Sequence, residues 1–126
     1  MKALYIPAAL LAAILCFALW TGQFIKQQSD IWSEELYLAS QHAQSENWAE
    51  TADCIQSAYA SWMEHQFLFY TVMDHTDLDQ TQTLFVGSIA ACAQQDQEEF
   101  HILLAQLSLQ LRFLVEKQAT SIENIL

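Results

Sequence analysis

Polar and apolar residues are unevenly distributed along this chain. Residues Ala3–Gly22, ALYIPAALLAAILCFALWTG, run for twenty positions without a charged side chain. About twenty apolar residues are what a helix needs to cross the hydrocarbon core of a bilayer. Pro7 falls in the first turns, where a missing N–H costs least. Tyr5 and Trp20 stand near opposite ends, as interfacial aromatics do. A cleaved signal peptide is the competing reading. Cys16-Phe17-Ala18 is a passable small-x-small cleavage sequence, but the apolar run continues through Leu19 and Trp20. A lipoprotein signal would need a small residue before its cysteine, and Leu15 is large. The pattern therefore predicts an uncleaved transmembrane signal-anchor over residues 1–22. Lys2 and the terminal amine favour a cytoplasmic N-terminus, leaving residues 23–126 on the extracytoplasmic side.

Beyond the anchor the apolar positions fall into helical spacing. Ile25, Trp32, Leu36, Ala39 and Ala43 predict a stalk helix over residues 23–46 that continues the anchor outward. Asn47 followed by Glu50 reads as a capping box opening a second helix. Along it Trp48, Ala52, Ile55, Tyr59, Trp62, Gln66, Phe69 and Met73 alternate steps of four and three, a heptad seam with one polar member. Its far end is apolar almost all round, which marks a central helix or one that meets a partner. Thr76 with Asp79, and Asp77 with Gln80, are cap-like pairs at the next corner. A third helix carries Leu78, Phe85, Ile89 and Cys92 on one side. Asp96 with Glu99 caps the last long helix, which presents Phe100, Leu103, Leu104, Leu107, Leu111 and Leu114. Arg112 and Lys117 near its end suit the negative pole of the helix dipole. Ser121 can cap one more turn. Short corners between long helices imply antiparallel neighbours. The expected fold is all-α: one N-terminal transmembrane helix followed by an antiparallel three- to four-helix bundle over residues 47–126.

Composition supports this and removes several function classes. The chain of 126 residues has two Gly and one Pro, so turn and strand punctuation is scarce. Its formal net charge is −11, and Lys2, Lys26, Arg112 and Lys117 are the only permanent cations. Nucleic-acid binding needs a basic footprint that is missing here, as does polybasic attachment to anionic lipid.

The stretch MDHTDLDQTQ, residues 73–82, looks most like chemistry. A calcium loop beginning at Asp77 would gain Asp79 and Thr81, but Gln82 and Ser88 stand where Gly and Glu belong. Zinc would require several His or Cys ligands at short spacing, and His75 has none. The simpler reading is a set of helix-capping acids. Glu98 and His101 form one Glu-x-x-His pair, where di-metal bundles use two. No acyl-transfer serine motif, phosphate loop, His-Glu-x-x-His or Cys-x-x-Cys is present. No metal and no cofactor is expected, and no enzymatic activity. Cys54 and Cys92 could form a disulfide outside the cell, but their axial offset of about 7 Å is near the limit for a bridge. In the anchor, Ala8 with Ala12, Ala9 with Ala13, and Ala18 with Gly22 are small-xxx-small pairs that would let another membrane helix approach.

The order of features carries a further likeness. An N-terminal span tipped by a basic residue, then ENW, then a tryptophan two turns before FLFYTVMDHTDLD, then DQEEF and a terminal SIENIL, resembles the small bacterial membrane-anchored proteins grouped as domain of unknown function 4363. The matching positions are Trp48, Trp62, His75, Asp77, Leu78, Asn124 and Ile125. The resemblance spans nearly the whole chain. It implies a fold and a location but no reaction, since the family has no assigned activity. The low lysine content departs from the family's usual composition.

These readings converge on a non-enzymatic, single-pass protein of the cell membrane that serves as an accessory to another membrane or envelope protein. The partner would be a polytopic membrane protein or a second copy of the chain. The alternative is an extracytoplasmic sensor or ligand-binding bundle acting through a partner. Phe67 and Tyr70 lie off the heptad seam and are the expected partner contacts, while Trp62 is expected in the core.

Overall fold

The computed structural model describes residues 2–125, and among them there are helices and no strands. Helix α1 (Lys2–Gln44) runs unbroken through the segments expected as anchor and stalk; α2 spans Trp48–Glu64, α3 Gln66–Val72, α4 His75–Ala93 and α5 Gln97–Ile125. The closest backbone approaches join α1 to α2 and α5, and α4 to α2 and α5, while Trp48 of α2 meets Phe100 of α5 edge-on across the core at 6.0 Å. The result is a four-cornered up-down-up-down bundle, as short connections between long helices require.

The segment expected as a stalk helix, residues 23–46, packs as one wall of this bundle, against α2 and α5. From Thr21 onward α1 buries Thr21, Ile25, Ser29, Trp32, Leu36, Ala39 and Ala43. That stripe advances by steps of four and three, the spacing that keeps one face turned to its neighbours. Below it, the large apolar side chains from Leu4 to Trp20 are exposed, apart from the half-buried Leu15. The second helix also differs from expectation. It breaks at His65, whose ring Nδ1 lies 2.9 Å from the Ser61 carbonyl, and the remaining seven residues form α3.

The core of α2 runs along Thr51, Ile55, Ala58 and Trp62, so the expected heptad line is shifted by part of a turn: Trp48, Ala52 and Tyr59 flank it half-buried. At the end of the bundle nearest the apolar segment of α1, Trp62 meets Trp32, Phe69 and Phe85 at ring-centroid distances of 5.5, 5.0 and 5.9 Å. Phe100, Leu104, Leu107, Leu111 and Leu114 of α5 close the far side. Several core positions hold hydroxyls. Thr21, Thr51, Thr81 and Ser88 are fully buried, and each donates at 2.8 Å to the carbonyl four residues earlier. A hydroxyl satisfied by its own helix packs as a small apolar group. Gly87 has a packing reason: a Cβ there would come within 3.4 Å of Leu103 on α5.

The corners correct three caps. Asn47 makes no side-chain cap bond; its carbonyl accepts from the Thr51 amide and hydroxyl. The cap of α4 is Asp74, which accepts the Thr76 amide at 3.1 Å, displacing the roles expected of Thr76 and Asp77. No new cap opens at Ser121, because α5 continues through Ile125. Asp96 caps α5 as expected, accepting the Glu99 amide at 3.2 Å. Glu46 and Gln95 take positive φ of 60° and 57°, the left-handed residue that commonly ends a helix.

Candidate membrane and partner surfaces

The acidic corner is held together by structural contacts. Asp74 caps α4. Asp77 receives the Lys117 ammonium from α5, and Lys117 also lies 3.9 Å from Asp74. The Asp77 carbonyl accepts Gln110 Nε2 at 3.2 Å. The hydrogen bond from Lys117 to Asp77, with the two nearby carboxylates, raises the lysine above its ordinary pKa. Asp79 accepts the Tyr70 hydroxyl at 3.0 Å. His75 stands edge-on to Tyr70, with ring centroids 4.8 Å apart. Each acid is therefore used to fasten α3 or α5 to the start of α4. Among the described residues, no three His, Cys, Asp or Glu side chains converge as a metal-binding group would.

Glu98 and His101 go different ways. Glu98 is exposed in the first turn of α5, whereas His101 turns toward α1, with Nδ1 3.5 Å from the Ser40 hydroxyl. The cysteines are free thiols, with Cys92 buried and Cys54 half-buried. Cys92 Sγ donates to the Trp48 carbonyl at 3.8 Å. Cys54, six residues on from Trp48, lies about 9 Å further along the bundle, so the two do not meet. Burial raises both thiols, and Cys54 is raised further by the charges of Glu35, Asp53 and Glu50.

Sequence reasoning did not find one group of buried polar atoms. The indole N–H of Trp32, the indole N–H of Trp62 and Oε2 of Glu35 are enclosed without a hydrogen-bond partner. Burial pushes the Glu35 carboxyl above its usual range. Glu35 is three residues beyond Trp32, one turn up the same helix. The pattern gave no signal for it, because a glutamate beside a seam ordinarily reaches solvent.

A groove of about 680 Å³ lies between α1 and α5. Lys26 and Arg112 line it together with Ser29, Ser33 and Ser108, but Asp30 lies among them. That carboxylate offsets much of the positive charge an anion would need.

The expected interface residues separate into distinct settings. Phe67 is 87% exposed on α3. Tyr70 is half-buried, with its hydroxyl donating to Asp79 and lying 3.2 Å from Gln66 Nε2, which donates to it. Met63, one turn before Phe67, is 39% exposed. Their height follows from a stack of rings: Trp20 on Phe24 at 5.5 Å, and Phe24 against His65 at 5.1 Å. Phe24 is two residues, about 3 Å, above Gly22, so α3 begins just above the end of the apolar span.

The small residues of the apolar segment do not share a face. At 100° per residue, Ala18 and Gly22 lie within roughly 25–65° of the buried stripe of α1, and Ala8 and Ala12 roughly 105–145° away from it. Ala18 and Gly22 are half-buried; Ala8 and Ala12 are exposed. The neighbour of the first pair is α5. Gln97 Nε2 donates to the Ala43 carbonyl and His101 sits beside Ser40, which fixes an antiparallel register. Continuing about 26 Å down both helices brings Gln118 level with Gly22.

A family model, described as Domain of unknown function (DUF4363), matches residues 19–125. No curated protein and no solved structure gives a significant match.

Proposed function

The chain belongs to the family of domain of unknown function 4363, and from that premise we propose a single-pass, membrane-anchored helical bundle that acts by binding another protein of the membrane or envelope. The observation that carries the reading is the exposed first half of α1. It has a mean hydropathy of 2.2 over its most apolar window, none of which is buried. It runs without a break into a bundle wall. Large side chains from Leu4 to Trp20 left in water would forfeit roughly 1.5–3 kcal/mol each, and a bilayer removes that cost. No reaction is proposed: Asp74, Asp77, Asp79 and His75 hold helices together, and Glu98 and His101 turn in different directions.

In this reading Lys2 stays on the cytoplasmic side and the bundle lies outside. A partner span would approach α1 on Ala8 and Ala12, since Ala18 and Gly22 face the last turns of α5. The test is a C-terminal tag on the full chain in cells whose outer layers have been removed. The protein should resist alkaline extraction from the membrane, and added protease should remove the tag. A soluble product, or a tag protected until the membrane is lysed, would refute the reading.

A further inference from the structure

The exposed end of α3 invites the question of what covers Phe67. The bundle does not: Phe67 is 87% exposed, while Phe69, two residues on, is 1% exposed against Trp32 and Trp62. The helix is thus fixed to the core by one aromatic and presents another outward. Its place in the fold is set by the unbroken stack from Trp20 through Phe24 to His65. Trp20 closes the apolar span, and His65 immediately precedes α3. The polar headgroup layer on each side of a bilayer is about 5–7 Å deep. With the hydrocarbon ending near Gly22, a residue two positions beyond His65 lies within that layer.

We propose that α3 rests on the outer leaflet and that Phe67 enters its interfacial zone, so that the occupant of this surface is lipid. The inference rests on the anchored reading above and extends the same apolar surface from α1 to a second element. Charge does not drive the contact. Glu64 and Asp79 are exposed near α3, and Lys117 is committed to Asp77 and Asp74. The insertion is hydrophobic and independent of anionic lipid. Aromatic rings favour this zone because they bury area without requiring complete dehydration of their surroundings. The contact gives the bundle two points of support on the membrane, the anchor and α3, and so fixes its tilt about α1.

The experiment places p-benzoylphenylalanine at position 67 in the full chain, in its native membrane, and irradiates it. Position 86 is the control, where Val86 is 51% exposed on α4, about 16 Å along that helix from His75. Position 67 should gain the mass of one phospholipid, zwitterionic lipid included, at several times the yield of position 86. A protein adduct at 67, equal yields at the two positions, or no adduct at 67 would each overturn the proposal. Alkaline extraction of the same samples separates the two readings. A chain that stays in the membrane but gives no lipid adduct removes the α3 contact alone, whereas a chain that is extracted removes the anchor with it.

Discussion

Replacing Trp62 with alanine tests most directly the packing at the end of the bundle nearest the apolar segment of α1. The side chain is 1% exposed. It touches three other buried aromatics, from α1, α3 and α4, so it joins every element at that level except α5. A buried aromatic ring removes roughly 150–250 Å² from water. At about 25 cal/mol per Å² that is roughly 4–6 kcal/mol. Alanine retains the Cβ and the neighbours relax in part, which lowers the loss. The indole N–H also has no partner, and an unsatisfied buried donor costs about 1–3 kcal/mol that truncation would relieve. The expected destabilisation is therefore about 3–4 kcal/mol, in the lower half of the usual range for a large aromatic. Trp62→Phe isolates the donor: it keeps most of the ring and removes the N–H, so the loss should stay below about 1.5 kcal/mol. Phe67→Ala is the surface control and should fall within about 0.5 kcal/mol. The assay is denaturant unfolding of the full chain in detergent micelles, followed by far-UV circular dichroism, with the anchor contributing a constant helical baseline. The full chain is required because Thr21 is a core residue that a fragment starting at residue 23 would lack. A loss below about 1 kcal/mol for Trp62→Ala, or a Phe67→Ala loss equal to it, would refute the assignment of core and surface.

Two further outcomes follow from the corner and from the buried carboxyl. Asp74→Ala should cost about 1 kcal/mol in the same unfolding assay and Asp74→Asn much less, because asparagine caps nearly as well as aspartate; equal losses would mean that the charge, not the cap, is what Asp74 supplies. Glu35 is raised by burial, so its contribution is fully present below its unfolded pKa and is lost as pH rises from there through the folded value. Glu35→Gln should therefore gain stability relative to the native chain at neutral pH and lose that advantage on acidification toward pH 4.5, the ordinary carboxyl value; a pH-independent difference would place the cause in packing.

The helices were legible because their apolar residues recur at helical spacing and because Gly and Pro are nearly absent. Trp62, Phe85, Phe100 and Leu107 were read as core from spacing alone and are buried. What the pattern did not resolve was which neighbour a stripe would face. Residues 23–46 read as a stalk because a seam of one side chain per turn fits equally a helix awaiting a partner and one already packed. Thr21, Thr51, Thr81 and Ser88 were passed over for the opposite reason. Their polar atoms suggested surface, yet each is satisfied within its own helix. The caps slipped because Asp74, Asp77 and Asp79 are chemically equivalent choices for ending one helix and starting the next. Only the position of Lys117, forty residues away, distinguishes Asp77 from the others. Spacing separates Phe67 and Tyr70 from the seam but not from each other, although Phe67 is 87% exposed and Tyr70 is half-buried with its hydroxyl on Asp79.

The continuity of α1 has a consequence for how any partner can be engaged. The same helix has an exposed apolar surface below Trp20, which the proposed reading gives to lipid, and an apolar stripe packed on protein above it, with no Gly or Pro between Gly22 and Gln44 to absorb rotation. The azimuth of the bundle about the anchor is thereby fixed. The stripe that carries α2 and α5 lies above Ala18 and Gly22, and the alanines at 8 and 12 lie roughly 105–145° round from it. At 100° per residue, Tyr37 returns to within roughly 20° of both alanines, and it is 62% exposed. Ile31 and Leu38, 48% and 40% exposed, lie about 110° further round. A membrane helix that packed on Ala8 and Ala12 and followed α1 upward would therefore meet Tyr37 and leave Ile31 and Leu38 uncovered. Substituting Tyr37 with serine should then leave the bundle folded, since it is not core, and weaken co-purification of that partner together with Ala8→Leu, whereas Ile31→Ser should not. If Tyr37→Ser and Ala8→Leu both leave co-purification intact, this side of α1 is not where the partner binds.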